Sequence, residues 1–192
     1  MKLFLERLTS DPTSLEYEAP ARWWLERVRE SREEPLEVIQ AFAFALQAHR
    51  MGEDVYCEGK LEGEVRIECS RCGSRYPQGL RESFRLVLEP ARDRIPSDPE
   101  GADALARTGV CLGDEIEAGW FRGTEITLDD YFAELVALGL PVQPVCRAEC
   151  KGLCPACGVN RNAAGCDCEE ETDERESPFA VLATLRDELQ GD

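Results

Sequence analysis

The chain combines a net charge of −17 with ten cysteines and a single histidine in 192 residues. No apolar run approaches the roughly 18 to 20 residues that span a bilayer, and Lys2, Glu6 and Arg7 interrupt the apolar N-terminus, which argues against a secretory signal. We therefore expect a cytoplasmic protein without a membrane partner, whose reduced thiols bind metal or carry redox chemistry instead of forming disulfides.

Residues 1–89 predict a strand, a helix and an antiparallel sheet. A weak alternation over residues 1–8 indicates a strand, and residues 20–31 place apolar side chains at helical spacing. Residues 36–46 read as a half-buried strand with aromatic side chains on one face. We expect the sheet to extend over residues 36–89.

The clearest pattern in the chain is an alternation with period two between Val55 and Cys69. Apolar residues and cysteines occupy one side and mostly charged residues the other, which predicts a long strand with one face on a core. Gly59 and Gly63 interrupt the apolar side and predict bends or bulges. The sequence CSRCG ends this strand, and SFRLVLEP predicts the strand that returns and completes the region.

The middle of the chain predicts a linker, a strand and a helix. Residues 90–114 contain three prolines and no strong apolar pattern, which predicts a long loop or linker. In residues 115–145, EIEAGWFRG predicts a strand and TLDDYFAELVALGLP predicts a helix, with Thr127 and Asp130 as a capping box. The apolar stripe of this helix comprises Leu128, Phe132 and Leu135. Strand and helix are expected to pack on the sheet.

The C-terminal part predicts a cysteine module and one further helix. Residues 146–168 hold six of the ten cysteines. In residues 169–192 an acidic run reads as a solvated linker, and Ser177 as N-cap with Pro178 at the first helical position predicts a final helix. We thus predict an α+β fold: an antiparallel β-sheet with a few helices and a cysteine-rich zinc-knuckle module near the C-terminus.

Eight of the cysteines have the spacing of metal ligands. CSRCG and CPACG share the pattern Cys-x-x-Cys-Gly, in which the gap brings two sulfurs to one ion and the glycine permits a left-handed backbone. Because eight thiols divide evenly, we favour two structural four-thiolate zinc sites. One would use Cys154, Cys157, Cys166 and Cys168, and the other Cys69, Cys72, Cys146 and Cys150. In the competing scheme, four of the six downstream thiols bind one ion and the upstream pair stays reduced and free of metal.

The other cysteines and the histidine predict no catalytic site. Cys57 lies on the apolar face of the long strand, where it fills the core, and Cys111 receives no role. His49 is far in sequence from either cysteine pair, and the chain has no phosphate-binding loop, dinucleotide fingerprint or nucleophile elbow. We expect no enzymatic activity and no small-molecule substrate. A redox role for CSRC is the weakest reading, because redox pairs usually open a helix in a βαβ unit.

Four landmarks in the same order resemble the YceD family, the large ribosomal RNA subunit accumulation proteins. They are GEVRIECSRCG, ITLDDYFAELVALGLPVQPVC, CKGLCPACGVNRN followed by CDC, and PFAVLATL. The resemblance implies a cytoplasmic, non-enzymatic bacterial factor that supports 23S rRNA accumulation in large-subunit assembly. Its implied partner is 23S rRNA or the pre-ribosomal large subunit, and contact with a basic ribosomal protein is also suggested. An acidic adaptor for a basic protein and a thiol redox protein remain as alternatives.

An acidic chain needs a local cluster of cations to bind RNA, because phosphate contacts dominate the affinity. The candidate RNA-contact residues are Arg66, Arg71, Arg75, Tyr76, Arg81, Arg85 and Lys151, with Phe84 as a second ring for base stacking. A zinc ion bound by four thiolates carries about two net negative charges. The alternative, in which these cations solvate a sheet edge and compensate the thiolates, is equally open.

Overall fold

A six-stranded sheet organises the first of two compact units in the computed structural model, which describes residues 1–28, 36–113 and 116–168. The first unit is Met1–Cys150, and the second begins at Lys151. The strands are β1 (Lys2–Phe4), β2 (Thr13–Ala19), β3 (Glu37–Met51), β4 (Asp54–Glu68), β5 (Arg75–Pro90), β6 (Val110–Leu112), β7 (Ala118–Phe121) and β8 (Glu125–Thr127). The helices are α1 (Ala21–Val28), α2 (Pro99–Thr108) and α3 (Asp129–Leu138), with a short 3-10 turn at Leu5–Arg7.

Six of the strands form one sheet in the order β2-β3-β4-β5-β7-β6, and β1 pairs separately with β8. Within the described residues every strand pair is antiparallel except β5–β7, which is parallel. The predicted α+β class with an antiparallel sheet and a few helices is confirmed.

The period-two pattern produces the core, because alternate side chains of β3, β4 and β5 point to one face of the sheet. On that inner face Phe42 and Phe44 of β3 are fully buried. Helix α1 covers them with Trp23, whose ring centre lies 6.1 Å from that of Phe44. Helix α3 adds Phe132, which stacks on Phe44 at 4.1 Å. The inner face and the two helices therefore enclose one aromatic core.

The two glycines of β4 provide space for aromatic rings. The register is unbroken through Gly59, so the structure has no bulge there, and a Cβ at this position would lie 2.6 Å from Cζ of Phe84. Opposite Gly63 the pairing of β3 with β4 is irregular. The irregularity lies in β3, because the register shifts between Gln40 and Ala43. A Cβ on Gly63 would lie 2.6 Å from Cδ1 of Phe42. Both glycines thus permit close approach of a phenylalanine.

The prediction of a loop or linker over residues 90–114 is wrong, because this segment contains α2 and β6. Asp98 caps α2 by accepting a hydrogen bond from the amide of Gly101, and Gly109 ends the helix with φ of 77°. Only Leu105 of the helix packs into a small apolar cluster beside β6. A short helix held by its caps shows little apolar periodicity, which is why the pattern did not reveal it.

Helix α3 begins at Asp129, and its N-cap Leu128 makes no side-chain capping bond, so the predicted Thr127–Asp130 capping box is wrong. Asp129 instead ties α3 to α1: it accepts a 2.6 Å hydrogen bond from Nε1 of Trp23 and pairs with Arg27 at 2.8 Å. It also contacts the amine of Met1. The predicted apolar stripe of Leu128, Phe132 and Leu135 is buried, as expected.

The second unit is described from Lys151 to Cys168, and the predicted acidic linker and final helix of residues 169–192 lie outside the described residues. Its core element is a small hairpin closed by an antiparallel bridge between Leu153 and Asn160. In the part of the chain that the structure describes, no helix has the length and apolar character needed to cross a membrane.

Candidate metal centres

The first group of thiols, cluster 1, consists of Cys69, Cys72, Cys146 and Cys150, whose Sγ atoms all lie within 4.8 Å of one another. The Sγ atoms of Cys69 and Cys150 are 3.8 Å apart, as are those of Cys72 and Cys146. A tetrahedron with zinc–sulfur bonds of about 2.3 Å has sulfur–sulfur edges of about 3.8 Å. Two of the six sulfur–sulfur edges therefore have the length that a tetrahedral zinc site requires, and the other four are no longer than 4.8 Å.

The β4–β5 hairpin supplies the first two thiols through a tight turn. The amide of Cys69 donates to the carbonyl of Ser74 at 3.0 Å, and the amide of Gly73 donates to the carbonyl of Cys69 at 2.9 Å. Gly73 has φ of 68°, a conformation that strains any residue with a Cβ. The predicted left-handed glycine after the second cysteine is confirmed.

The segment after α3 carries the other two thiols back to this hairpin. The amide and the hydroxyl of Ser70 both donate to the carbonyl of Pro144, at 2.8 and 2.9 Å. Arg71 donates to the carbonyl of Cys150 at 3.3 Å, and Tyr76 and Val145 pack against the thiols. Cluster 1 thereby joins parts of the chain that are 74 and 81 residues apart in sequence.

The second group, cluster 2, lies within the second unit. Its Sγ atoms, from Cys154, Cys157, Cys166 and Cys168, also lie within 4.8 Å of one another. The amide of Cys154 donates to the carbonyl of Val159 and that of Gly158 to the carbonyl of Cys154, both at 2.8 Å, and Gly158 has φ of 72°. These hydrogen bonds repeat those of the first hairpin, so Cys-x-x-Cys-Gly builds the same turn twice.

Asparagine side chains organise the rest of the second unit. The amide of Lys151 donates to Oδ1 of Asn162 at 2.9 Å, and the amide of Asn162 donates to Oδ1 of Asn160 at 2.9 Å. The carbonyl of Asn160 accepts from Ala163 and Ala164, which turns the chain toward its last two cysteines. Sequence reasoning missed these residues and Ser70; the short polar run NRN was the signal for the asparagines.

Backbone amides favour the thiolate form of the first cysteine in each cluster. The pKa of Cys69 is lowered to about 6, chiefly by the amide of Cys146 and also by those of Arg71 and Cys72. The pKa of Cys154 is lowered to about 6 by the amides of Cys157 and Ala156. In both turns the amides two and three residues after the first cysteine therefore point at its sulfur, as metal-binding thiolates require.

Other thiols of the same clusters resist deprotonation. Burial and the neighbouring thiols raise the pKa of Cys146 to about 12. Hydrogen bonding with Cys157, together with burial, raises the pKa of Cys168 to about 12. Four thiolates in so small a volume repel one another, and a divalent cation at the centre removes this repulsion. Both clusters could therefore hold a metal ion, and they match the first predicted scheme in membership.

The remaining predicted residues divide between core and surface. Cys57 is buried, as predicted, and burial raises its pKa to about 12. Cys111 is buried in β6 and does not lie in a loop. His49 stacks on Tyr56 near the end of β3. Phe84 is a core residue, so its predicted role in base stacking is wrong.

The arginines predicted to contact RNA lie beside carboxylates. Arg66 pairs with Glu37 at 2.8 Å. The register places Arg75 opposite Glu68, Arg81 opposite Glu62, and Arg85 opposite Glu58. Arg71 is engaged with cluster 1, Tyr76 is half-buried against the same cluster, and Lys151 is exposed. RNA contact by these residues stays a prediction.

Comparison with known proteins identifies a family over most of the chain. The sequence profile of the family described as Large ribosomal RNA subunit accumulation protein YceD matches residues 57–186. A relative from Arabidopsis thaliana, named Large ribosomal RNA subunit accumulation protein YCED homolog 1, chloroplastic, is 28% identical over 156 residues, covering 68% of this chain and 45% of the relative. Its namesake from Zea mays is 27% identical over 140 residues, covering 62% and 47%.

An uncharacterized protein of Mycobacterium bovis is 28% identical over 148 residues, covering 77% of this chain and 65% of that protein. The chain therefore spans between 45% and 65% of the length of these relatives. No solved structure gives a significant match.

Proposed function

The chain belongs to the YceD family, and from this premise we propose that it is a non-enzymatic factor that supports 23S rRNA accumulation during large-subunit assembly. The observation that carries the proposal is the family match, which includes all eight clustered cysteines. The plant relatives bear a name that refers to the accumulation of large-subunit rRNA. In the proposal the protein acts in the cytoplasm, on 23S rRNA or on the pre-ribosomal particle.

The proposal includes one structural zinc ion in each cluster. Four thiolates complete a tetrahedral shell and leave no position for a substrate or a reactive water, which supports a structural role. The all-sulfur donor set suits zinc, and the sulfur separations of cluster 1 suit its bond length. Bound zinc would add folding free energy on the order of 10 kcal/mol to segments too polar to bury a core.

Zinc in cluster 1 would fix the segment after α3 on the β4–β5 hairpin. Zinc in cluster 2 would fix the second unit, whose described residues include few buried apolar side chains. In the proposal each ion holds its own segment in one conformation, so that the segment can contact a nascent particle.

The test is deletion of the gene in its host, followed by complementation with the parent, Cys72→Ser, Cys154→Ser and the core control Cys57→Ala. We expect deletion to lower the ratio of 23S to 16S rRNA and to reduce large subunits in a sucrose gradient. The parent and Cys57→Ala should restore both, whereas the two ligand variants should not. An unchanged 23S to 16S ratio in the deletion strain would refute the proposal.

The metal is tested separately by mass spectrometry and visible absorption of protein purified under reducing conditions. We expect two equivalents of zinc in the parent and no visible absorption band. Coloured, iron-containing protein would contradict the zinc assignment while leaving the rRNA role open to the genetic test.

A further inference from the structure

We propose that the outer face of the sheet, opposite the aromatic core, binds a basic, extended segment of a partner protein in a channel along β3. The β3 channel has Ala43 and Ala45 as its floor. Its walls are Glu16 and Glu18 on the β2 side, and Glu58, Lys60, Glu62 and Glu64 on the β4 side. This inference is independent of the proposed rRNA role.

The channel follows from the run AFAFAL in β3. Phe42 and Phe44 point into the core, so the alanines between them point outward, and Ala43 and Ala45 are exposed. The register places Ala43 between Glu18 and Glu62, and Ala45 between Glu16 and Lys60. At two successive levels a methyl group therefore lies between two long side chains.

The spacing of the walls suits one extended chain. Neighbouring strands lie about 4.8 Å apart, so β2 and β4 are separated by about 10 Å across β3. A groove of about 660 Å³ covers the part of the channel around Ala45 and Gln47, and its lining includes Glu16, Glu58, Lys60 and Arg85.

The β2 wall determines the charge of the partner. Glu16 and Glu18 are exposed, and their neighbours on β3 are alanines, so no cation from β3 offsets them. A lysine or arginine side chain in the channel would meet these carboxylates, whereas a phosphate would be repelled by them.

The β4 wall adds three glutamates and one lysine, so the two walls together carry five glutamates against Lys60, a net charge of −4. Arg85 of β5 also lines the groove, opposite Glu58, and Arg81 lies opposite Glu62, so both arginines partly offset the charge of the β4 wall. The acidic character is therefore strongest toward β2, and we expect the basic side chains of the partner to lie on that side.

Helices α1 and α3 pack on the opposite, inner face of the sheet. Trp23 of α1 and Phe132 of α3 both contact Phe44, whose side chain points to the inner face of the sheet. The partner would thus add an outer layer to the sheet without displacing the core helices.

The test uses the full chain and a fluorescein-labelled peptide of twelve residues with alternating arginine and valine. Fluorescence anisotropy measures its binding to the parent and to two variants. Glu16→Lys with Glu18→Lys reverses the β2 wall, and Ala45→Phe fills the floor without changing the charge. The matched controls are Glu6→Lys with Glu26→Lys, and Ala106→Phe, all at exposed positions outside the sheet.

We expect both channel variants to weaken peptide binding at least tenfold and both controls to change it less than twofold. If the charge control weakens peptide binding as much as the reversed β2 wall does, the effect of charge is not local to the channel. If Ala45→Phe binds the peptide as the parent does, the channel is not the binding site. Either result overturns the proposal. A labelled single-stranded RNA of twelve nucleotides separates the other class of partner. If Ala45→Phe weakens RNA binding and Glu16→Lys with Glu18→Lys strengthens it, the channel binds RNA and the proposal is overturned.

Discussion

Loss of the proposed zinc from cluster 1 should destabilise the first unit, and Cys72→Ser is the sharpest way to remove it. The ion would close a loop between Cys72 and Cys146, which are 74 residues apart. A cross-link over such a loop is worth about 4 kcal/mol, which is a lower bound for zinc, because a structural zinc ion contributes folding free energy on the order of 10 kcal/mol. With a urea dependence of about 2 kcal/mol per molar, the unfolding midpoint should fall by at least about 2 M.

All three tryptophans lie in the first unit, so tryptophan fluorescence during urea unfolding reports on that unit. Zinc is measured on the same samples. Cys157→Ser is the matched control, because it removes a ligand of cluster 2, which lies in the other compact unit. We expect one zinc in each variant but a lower midpoint only in Cys72→Ser. Two zinc ions in Cys72→Ser, or an equal fall in the midpoint of Cys157→Ser, would refute the reasoning.

Three further predictions concern the first unit. Gly59→Ala should lower the free energy of unfolding by about 3 kcal/mol because its Cβ would overlap the backbone of β3, whereas Gly79→Ala, with open space around it, should change it by less than about 0.5 kcal/mol; urea titrations of both measure the contrast. Burial opposes ionisation of Asp129, but its hydrogen bonds and its cationic neighbours outweigh burial and lower the pKa of this carboxyl group. The stability that ionised Asp129 contributes is therefore complete above the unfolded pKa of about 4 and is lost as the pH falls through the folded pKa. Asp129→Asn should therefore cost about 2 to 3 kcal/mol at pH 7 and progressively less below pH 4, and a constant difference from the parent in acid would contradict this. Cys57 and Cys111 lie in apolar clusters apart from the two metal clusters, so thiol titration at pH 8 after chelation, which frees the other eight thiols from their ions, should show eight fast and two slow thiols; ten fast thiols would contradict their core positions.

Several elements could be predicted from the sequence because one local pattern determined each of them. The alternation from Val55 to Cys69 predicted β4, and the repeated Cys-x-x-Cys-Gly predicted both turns with their left-handed glycines. The grouping of Cys69 and Cys72 with Cys146 and Cys150 came from counting thiols and from their order along the chain.

Other features depend on contacts between distant residues. Helix α2 is held by its caps and by a few contacts with β6, so its own sequence carries little periodicity. The sequence predicted a capping box of Thr127 and Asp130 and gave Asp129 no role, because the partners of Asp129, Trp23 and Arg27, lie more than 100 residues earlier. The outward-facing alanines of β3 could be interpreted as the floor of a channel only once the register placed long charged side chains on both sides of them.

Cluster 1 also has a consequence for the order of synthesis. Cys69 and Cys72 leave the ribosome at least 74 residues before Cys146, which at about 5 to 20 residues per second corresponds to roughly 4 to 15 s. During that interval the hairpin offers only half of a coordination shell. Cluster 1 can therefore bind an ion through four sulfurs only after Cys150 has been translated. The ion would then join the β4–β5 hairpin to the segment that follows α3.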